Sequence, residues 1–269
     1  MIKIGTSGFS FRDWVGPVYP KGTKPADALG YYQNGLGFNC VEINSTYYTL
    51  VSDRSFAGME KKTGPDFEFV VKGYRGITHD PFDSRFGAKK PSEKSALENI
   101  DRFCYSLGPL IEKDKLGAVL LQFPVFFTPG PRAEEYLLKC GEKFSGIPIV
   151  VEFRSRDWAR PETFDFLRNT GFGYCAVDEP RLPRLMPFVN EVTSDTAYFR
   201  FHGRNPNWFN APMEERYNYL YSDKELESFI PELEKTASSA KKTYAFFNNC
   251  HAGSAVKNAI KLKQLLGLP

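Results

Sequence analysis

Eight short stretches of strand character, separated for the most part by stretches of helical period, constrain this chain more than any other feature of its sequence. They lie at residues 2–6, 40–44, 67–72, 118–123, 147–153, 173–178, 197–202 and 243–248, each rich in β-branched and aromatic residues and none longer than seven. The helices between them show buried stripes. Leu97, Ile100, Cys104 and Leu107 form one, and Ala133, Tyr136, Leu137 and Cys140 another. Ser222 and Glu225 make a capping box ahead of Leu226, Phe229, Ile230 and Leu233, and Pro161 suits a first helical turn. Such alternation builds a parallel sheet, open or closed. Eight units in 269 residues, with no G-x-G-x-x-G turn after the first strand, favour closure. The reading is α/β: a single closed (β/α)8 TIM-type barrel spanning residues 1–269 as one domain, without repeats or an interdomain linker.

Composition agrees with that class. Hydrophobic residues make up 42%, aromatic residues 15%, and the net charge is +3, values that exclude disorder and give no whole-protein pull on a polyanion. No run is apolar enough to span a membrane, and the N-terminus enters a strand without an apolar leader, which predicts a cytoplasmic protein with no membrane partner. Five cysteines, an odd number without a C-x-x-C pair, read as reduced core thiols.

The connections that follow strands are long, at residues 7–25, 73–91, 179–196 and 203–222, and those that precede strands are short. Barrel sites are built from the loops after strands. These carry Trp14, Tyr19, Tyr74, Phe82, Trp208, Phe209, Tyr217, Tyr219 and Tyr221, which predicts a lidded, aromatic-walled pocket at the C-terminal face.

Side chains alternate along a strand. Val41 and Ile43 therefore oppose Glu42 and Asn44, Val71 opposes Lys72, and Leu121 and Phe123 oppose Gln122. Likewise Val151 and Phe153 oppose Glu152 and Arg154, Val177 opposes Asp178, and Phe199 and Phe201 oppose Arg200 and His202. With the apolar set against the helices, the polar set converges inside the barrel mouth. Thr6 and Ser7 end the first strand, and Asn248 and Asn249 the last. Beyond them, the helix start at Gly253 and Ser254 offers N–H groups to a phosphate or carboxylate.

Several of these segments resemble the YecE-like proteins, a family catalogued as domain of unknown function seventy-two. The matching stretches are Ile4-Gly5-Thr6-Ser7-Gly8-Phe9, Val41-Glu42-Ile43-Asn44-Ser45-Thr46-Tyr47-Tyr48, Val71-Lys72-Gly73, Leu121-Gln122-Phe123-Pro124, Val151-Glu152-Phe153-Arg154, Phe199-Arg200-Phe201-His202-Gly203-Arg204 and Phe247-Asn248-Asn249. The resemblance covers essentially the whole chain. It implies a TIM-type barrel and supplies no activity. Phe9 stands where that family usually has Trp.

The candidate catalytic groups are Glu42, Lys72, Glu152, Asp178 and His202. The candidate ligand-binding groups are Thr6, Ser7, Asn44, Tyr47, Gln122, Arg154, Arg200, Arg204, Trp208, Asn248, Asn249 and Ser254. Together they suit a hydrolase or isomerase acting on an anionic, phosphate-bearing small molecule. Arg200, Arg204 and Lys72 would clamp charge, His202 titrating near neutrality would exchange protons with Glu152 or Glu42, and Tyr47, Trp208 and Phe209 would stack on a ring.

Four other readings stand beside it. Glu152, Asp178 and His202 end consecutive strands in an order similar to ligands of xylose-isomerase-like and DNA-repair endonuclease barrels, and could hold one Mg²⁺ or Mn²⁺. Glu42 and Glu152 could serve glycoside hydrolysis. Arg12, Lys21, Lys24, Arg75, Lys89, Lys90, Arg156 and Arg160 could hold nucleic acid around the rim. The mouth charges could also be a non-catalytic ion-pair plug. Cofactor and oligomeric state are left open, and His79 reads as a loop hydrogen-bonding residue.

Overall fold

Eight parallel strands pair in the order β1-β8-β7-β6-β5-β4-β3-β2 in a computed structural model that describes residues 1–82, 92–208 and 211–269, with the side chains of Met213 and Glu214 left aside. They are β1 Ile2–Thr6, β2 Cys40–Ile43, β3 Glu68–Lys72, β4 Leu116–Phe123, β5 Ile149–Phe153, β6 Gly173–Asp178, β7 Thr196–Phe201 and β8 Lys242–Phe247. The helices are α1 Ala28–Asn34, α2 Asp53–Glu60, α3 Arg75–Thr78, α4 Glu93–Glu112, α5 Pro131–Lys143, α6 Pro161–Thr170, α7 Met213–Arg216, α8 Asp223–Ser239 and α9 Ser254–Leu265. The expected barrel is present. One unit departs from its rhythm: residues 179–195, between β6 and β7, form no helix.

Local signals explain the element ends. The Ser222–Glu225 capping box opens α8, and Pro161 begins α6. β5 starts later than the pattern predicts, because Pro148 has no N–H for the ladder and contributes only its carbonyl, which accepts from Val119 N–H at 2.8 Å. His202 and Asn248 lie one residue past their strands yet keep the ladder. Their N–H groups donate to Asp178 O and Phe201 O, both at 2.8 Å. The outward faces are aromatic: Phe201 packs on Phe229 of α8 with ring centroids 4.7 Å apart, and Phe153 stacks on Trp158 at 4.1 Å. All five cysteines are free, Cys40, Cys140 and Cys175 buried and Cys104 and Cys250 partly so. No helix among the described residues is long and apolar enough to cross a membrane.

The barrel closes where β1 meets β2, at the Ser7–Glu42 bridge. A side chain completes this seam. The Tyr32 hydroxyl, reaching down from α1, accepts from Thr6 N–H at 3.0 Å and donates to Cys40 C=O at 3.2 Å. Gly5 permits the approach, since a Cβ there would lie 2.5 Å from the Cys40 carbonyl oxygen. At the opposite, N-terminal end the floor is ionic. Glu68 receives Lys3 at 3.1 Å, Lys242 at 2.9 Å and the Tyr244 hydroxyl.

Tyr32→Phe removes a buried hydroxyl and leaves a backbone donor and acceptor unpaired. The expected loss is about 1–3 kcal/mol of stability, read by urea unfolding. A change near zero would mean that the seam does not depend on this bridge.

Candidate functional site

The polar residues of β2, β5 and β7 meet inside the barrel in two levels. In the lower level the Arg200 guanidinium donates to Glu42 Oε1 at 2.7 Å and to Glu152 Oε2 at 2.6 Å, and the Tyr198 hydroxyl donates to Glu42 Oε2 at 2.7 Å. Glu42 and Glu152 are 0% exposed and Arg200 is 1% exposed. Burial alone would raise the Glu152 carboxyl, but Arg154 and Arg200 outweigh it and hold Glu152 well below the ordinary carboxylate range. Both terminal guanidinium nitrogens of Arg200 are engaged, and its Nε is buried without a partner among the described residues. Glu152 is therefore not the protonated acid that glycoside hydrolysis needs, and Glu42 is wholly buried behind its bonds to Arg200 and Tyr198.

One pleat higher, Arg154 spans Glu152, Glu179 and His202. Its Nε lies 2.6 Å from Glu152 Oε1, its Nη1 is paired with Glu179, and its Nη2 is 3.0 Å from His202 Nε2. Asn248 lies 2.9 Å from His202 Nδ1. A guanidinium only donates, so Nε2 accepts from Arg154, and the Asn248 side-chain amide holds the other ring nitrogen. Burial, then Arg154 and Arg200, push the imidazole well below its usual pKa. His202 is thus a neutral ring at neutral pH, contrary to the expectation that it titrates there.

Lys72 stands beside this level and is half-buried. Its Nζ donates to Gln122 Oε1 at 2.8 Å and sits 4.6 Å from the Tyr47 ring centre. Burial, helped by Arg200, lowers its pKa to about 7. Burial also raises Glu179 to about 7 despite the opposing charge of Arg154. Asn44 lies 3.4 Å from Asn248 Oδ1 and 3.5 Å from the Ser7 carbonyl. Ser7 Oγ and Asn44 Oδ1 are buried and have no hydrogen-bond partner among the described residues. Ser7 is in register with the inward-facing Glu42, so its hydroxyl shares the barrel face.

The strand parity misplaces β6. Tyr174 packs outward on Phe164 of α6 at 5.1 Å, which turns Asp178 to the helix layer as well. There it binds Arg204 at 2.7 and 2.9 Å and accepts from the Tyr221 hydroxyl at 2.6 Å. Glu179, one residue on, is the carboxylate that faces the mouth, a group the sequence reading missed. Glu152, Asp178 and His202 consequently do not converge, and no metal-holding group of three or more His, Cys, Asp or Glu side chains exists among the described residues. Arg204, also tied to Glu225 at 3.3 Å, is no phosphate clamp beside Lys72.

Three further candidates fall outside the mouth. Thr6 Oγ1 donates to Gly8 O at 2.7 Å. Asn249 clamps the Tyr219 carbonyl and Asn258, both at 2.8 Å. At the start of α9, beside Ser254, the Ala252 N–H is taken by the Asp13 carboxylate at 2.7 Å, so an internal anion serves that loop. Tyr198 was also missed, although its i, i+2 spacing from Arg200 places it on the same face.

The β7 loop covers His202. Trp208 and Tyr217 each lie 6.2 Å from the imidazole and 5.1 Å from each other. Phe209, Lys89 and Lys90 lie outside the described residues. Of the remaining rim cations, Arg12, Lys21, Lys24 and Arg156 are exposed, while Arg75 pairs with Asp80 at 3.0 Å and Arg160 approaches Glu134 at 3.8 Å. His79 bonds Thr78 at 2.8 Å, and burial pushes it down to about 3, in keeping with a loop role.

Comparison with known proteins finds a match to the family described as "Protein of unknown function DUF72" over residues 3–269. The UPF0759 protein YunF of Bacillus subtilis is 31% identical over 281 residues, covering 100% of this chain and 95% of its own length. A DUF72 family crystal structure from Thermotoga maritima superposes with a TM-score of 0.89 at 46% identity, covering 99% of each chain. A xylose isomerase domain containing protein from Salmonella typhimurium shares the fold alone, with a TM-score of 0.52 at 14% identity over 98% of this chain and 95% of that one.

Arg200→Met strands two buried carboxylates and is expected to cost about 3–5 kcal/mol in urea unfolding. Adding Glu42→Gln and Glu152→Gln should recover most of that. A triple variant no more stable than the single one would assign the loss to packing instead of charge.

Proposed function

The chain belongs to the DUF72 family of proteins of unknown function, and from the composition of its barrel mouth we propose that it is an enzyme that binds an anionic small molecule there, with Lys72 meeting the negative charge. One observation carries this reading. Lys72 ends β3 without a carboxylate within ion-pair distance among the described residues, its Nζ bonded at 2.8 Å to a neutral amide, although Glu42, Glu152 and Glu179 share the interior and all pair with arginines. A half-buried cation without a counter-charge is costly, and an anionic ligand would supply the missing partner. The buried, unpartnered Ser7 Oγ and Asn44 Oδ1 add polar groups at the same face, and Tyr47, Tyr217 and Trp208 supply ring surfaces for stacking.

Chemistry of the hydrolase or isomerase kind is supported by two groups poised near neutrality, Lys72 and Glu179, each at about 7. His202 enters as a neutral hydrogen-bonding ring, oriented by Arg154 and Asn248. The lower Glu42–Arg200–Glu152 level acts as a plug that holds Arg154 and His202 in place. In this division the ion-pair reading and the site reading describe different depths of one interior.

The pKa of Lys72, about 7 against an ordinary 10.5, sets the test. Between those values the free protein leaves Lys72 largely unprotonated, and a bound anion pulls the proton back. Titration with ribose 5-phosphate at about pH 8, by calorimetry in buffers of differing ionisation enthalpy, should show net uptake of up to about one proton, which Lys72→Met abolishes. Ligand at about 100 times its dissociation constant should also add roughly 2.7 kcal/mol of stability. The same linkage makes stability rise with pH across that window, because the unfolded chain holds a proton the folded chain lacks; Lys72→Met should flatten the rise. Binding of short nucleic acids alone, weakening steeply with salt, would move the function to the rim.

A further inference from the structure

We propose that Lys72 is a nucleophilic amine that condenses with the carbonyl group of an anionic aldehyde or ketone to give a protonated imine. This rests on the reading that the mouth binds an anion, and it narrows the ligand to a carbonyl compound.

The surroundings of Nζ are those of a reactive amine. A carboxylate partner would lock the ammonium form, and none among the described residues is within ion-pair distance. Among those residues Nζ has one hydrogen bond, to Gln122 Oε1 at 2.8 Å, which uses an N–H and leaves the lone pair of the neutral amine free. The Tyr47 ring 4.6 Å away covers one side of the nitrogen. The strand end beneath is fixed, since Thr46 Oγ1 donates to the Lys72 carbonyl at 2.6 Å. Arg200, already paired on both sides, adds positive charge that disfavours a second cation, and the amine accordingly titrates at about 7. Amines of lowered pKa in desolvated sites beside other cations are the ones that form such adducts.

The step balances without a co-reactant. The neutral amine attacks the carbonyl carbon, the carbonyl π pair moves to oxygen, and a proton from nitrogen passes to that oxygen. Loss of water, using the proton that the ammonium form gave up, leaves the iminium. Overall, ammonium plus carbonyl gives iminium plus water, with the positive charge conserved. The iminium withdraws electrons from the adjacent carbon, as an isomerase requires.

The probe is pyridoxal 5′-phosphate, which combines a ring, a phosphate and an aldehyde; pyridoxine 5′-phosphate, lacking the aldehyde, is its unreactive counterpart. The folded wild-type protein is incubated with the aldehyde at about pH 7, reduced with borohydride and mapped by peptide mass. Lys72 is expected to gain the mass of the probe less one oxygen, at least ~10²-fold faster than exposed lysines, since a fall from about 10 to about 7 raises the free amine ~10³-fold. Lys72→Arg, which keeps the cation, should lose the adduct and retain binding of pyridoxine 5′-phosphate. Labelling spread evenly over surface lysines overturns the proposal. Pyridoxine 5′-phosphate stabilising the protein while Lys72 stays unmodified by the aldehyde would sink the imine and keep the anion site. Lys72 labelling that pyridoxine 5′-phosphate does not slow would keep the nucleophile and sink the anion site.

Discussion

Placing a guanidinium at the centre of a barrel removes it from water at a cost of several kcal/mol, so everything around Arg200 is arranged to offset that cost. Glu42 comes from β2, Glu152 from β5 and Arg200 from β7, and their two ion pairs tie strands from different sides of the barrel across its interior. The Tyr198 hydroxyl then satisfies the remaining oxygen of Glu42. Because Glu152 is committed from below, Arg154 reaches it only at a 2.6 Å contact of poor alignment and spends its other nitrogens on Glu179 and His202. In the upper level burial, then these two arginines, keep the imidazole neutral, whereas burial lifts the Glu179 carboxyl toward neutrality against the opposing charge of Arg154.

The same argument shows why the sequence was readable in some strands and not in others. In β2, β5 and β7 apolar residues alternate with charges, so parity alone sent Glu42, Glu152, Arg154, Arg200 and His202 inward. In β6 the pattern is ambiguous. Cys175 and Val177 are as suited to a barrel interior as to a helix layer, and Asp178 and Glu179 are adjacent carboxylates of opposite parity. The choice is made by Tyr174 packing on Phe164, and by Arg204 and Tyr221 waiting in the helix layer for Asp178. Those contacts join residues 10 to 43 positions apart, which no local spacing encodes. The adjacent pair Asn248 and Asn249 divides the same way, one to His202 and one to Asn258. The barrel itself was legible because it rests on periodicity; the missing helix at 179–195 shows only as a length of chain after β6.

The two ends of the barrel interior use charge differently. On the floor a single carboxylate, Glu68, faces Lys3, Lys242 and the Tyr244 hydroxyl, and none of these side chains has a buried unpartnered atom. That arrangement is closed. At the mouth, among the described residues, Ser7 Oγ, Asn44 Oδ1 and Arg200 Nε are buried without partners, and Lys72 bonds an amide in place of a carboxylate. Two ionic plugs of similar residue types thus differ in completeness, and the incomplete one lies at the end where barrel loops build sites.

Charge counting at the mouth leads one step further. With Arg154 and Arg200 positive and Glu42 and Glu152 negative, the level is neutral if Lys72 is an amine and Glu179 a carboxylic acid. It is equally neutral if Lys72 is an ammonium and Glu179 a carboxylate. The two states differ by one proton moved between groups that both titrate at about 7, so neither dominates through net charge, and Arg154 on Glu179 opposes the burial that favours the acid. In the first state Lys72 is an amine with a free lone pair, and in the second it is a cation that an anionic group would favour.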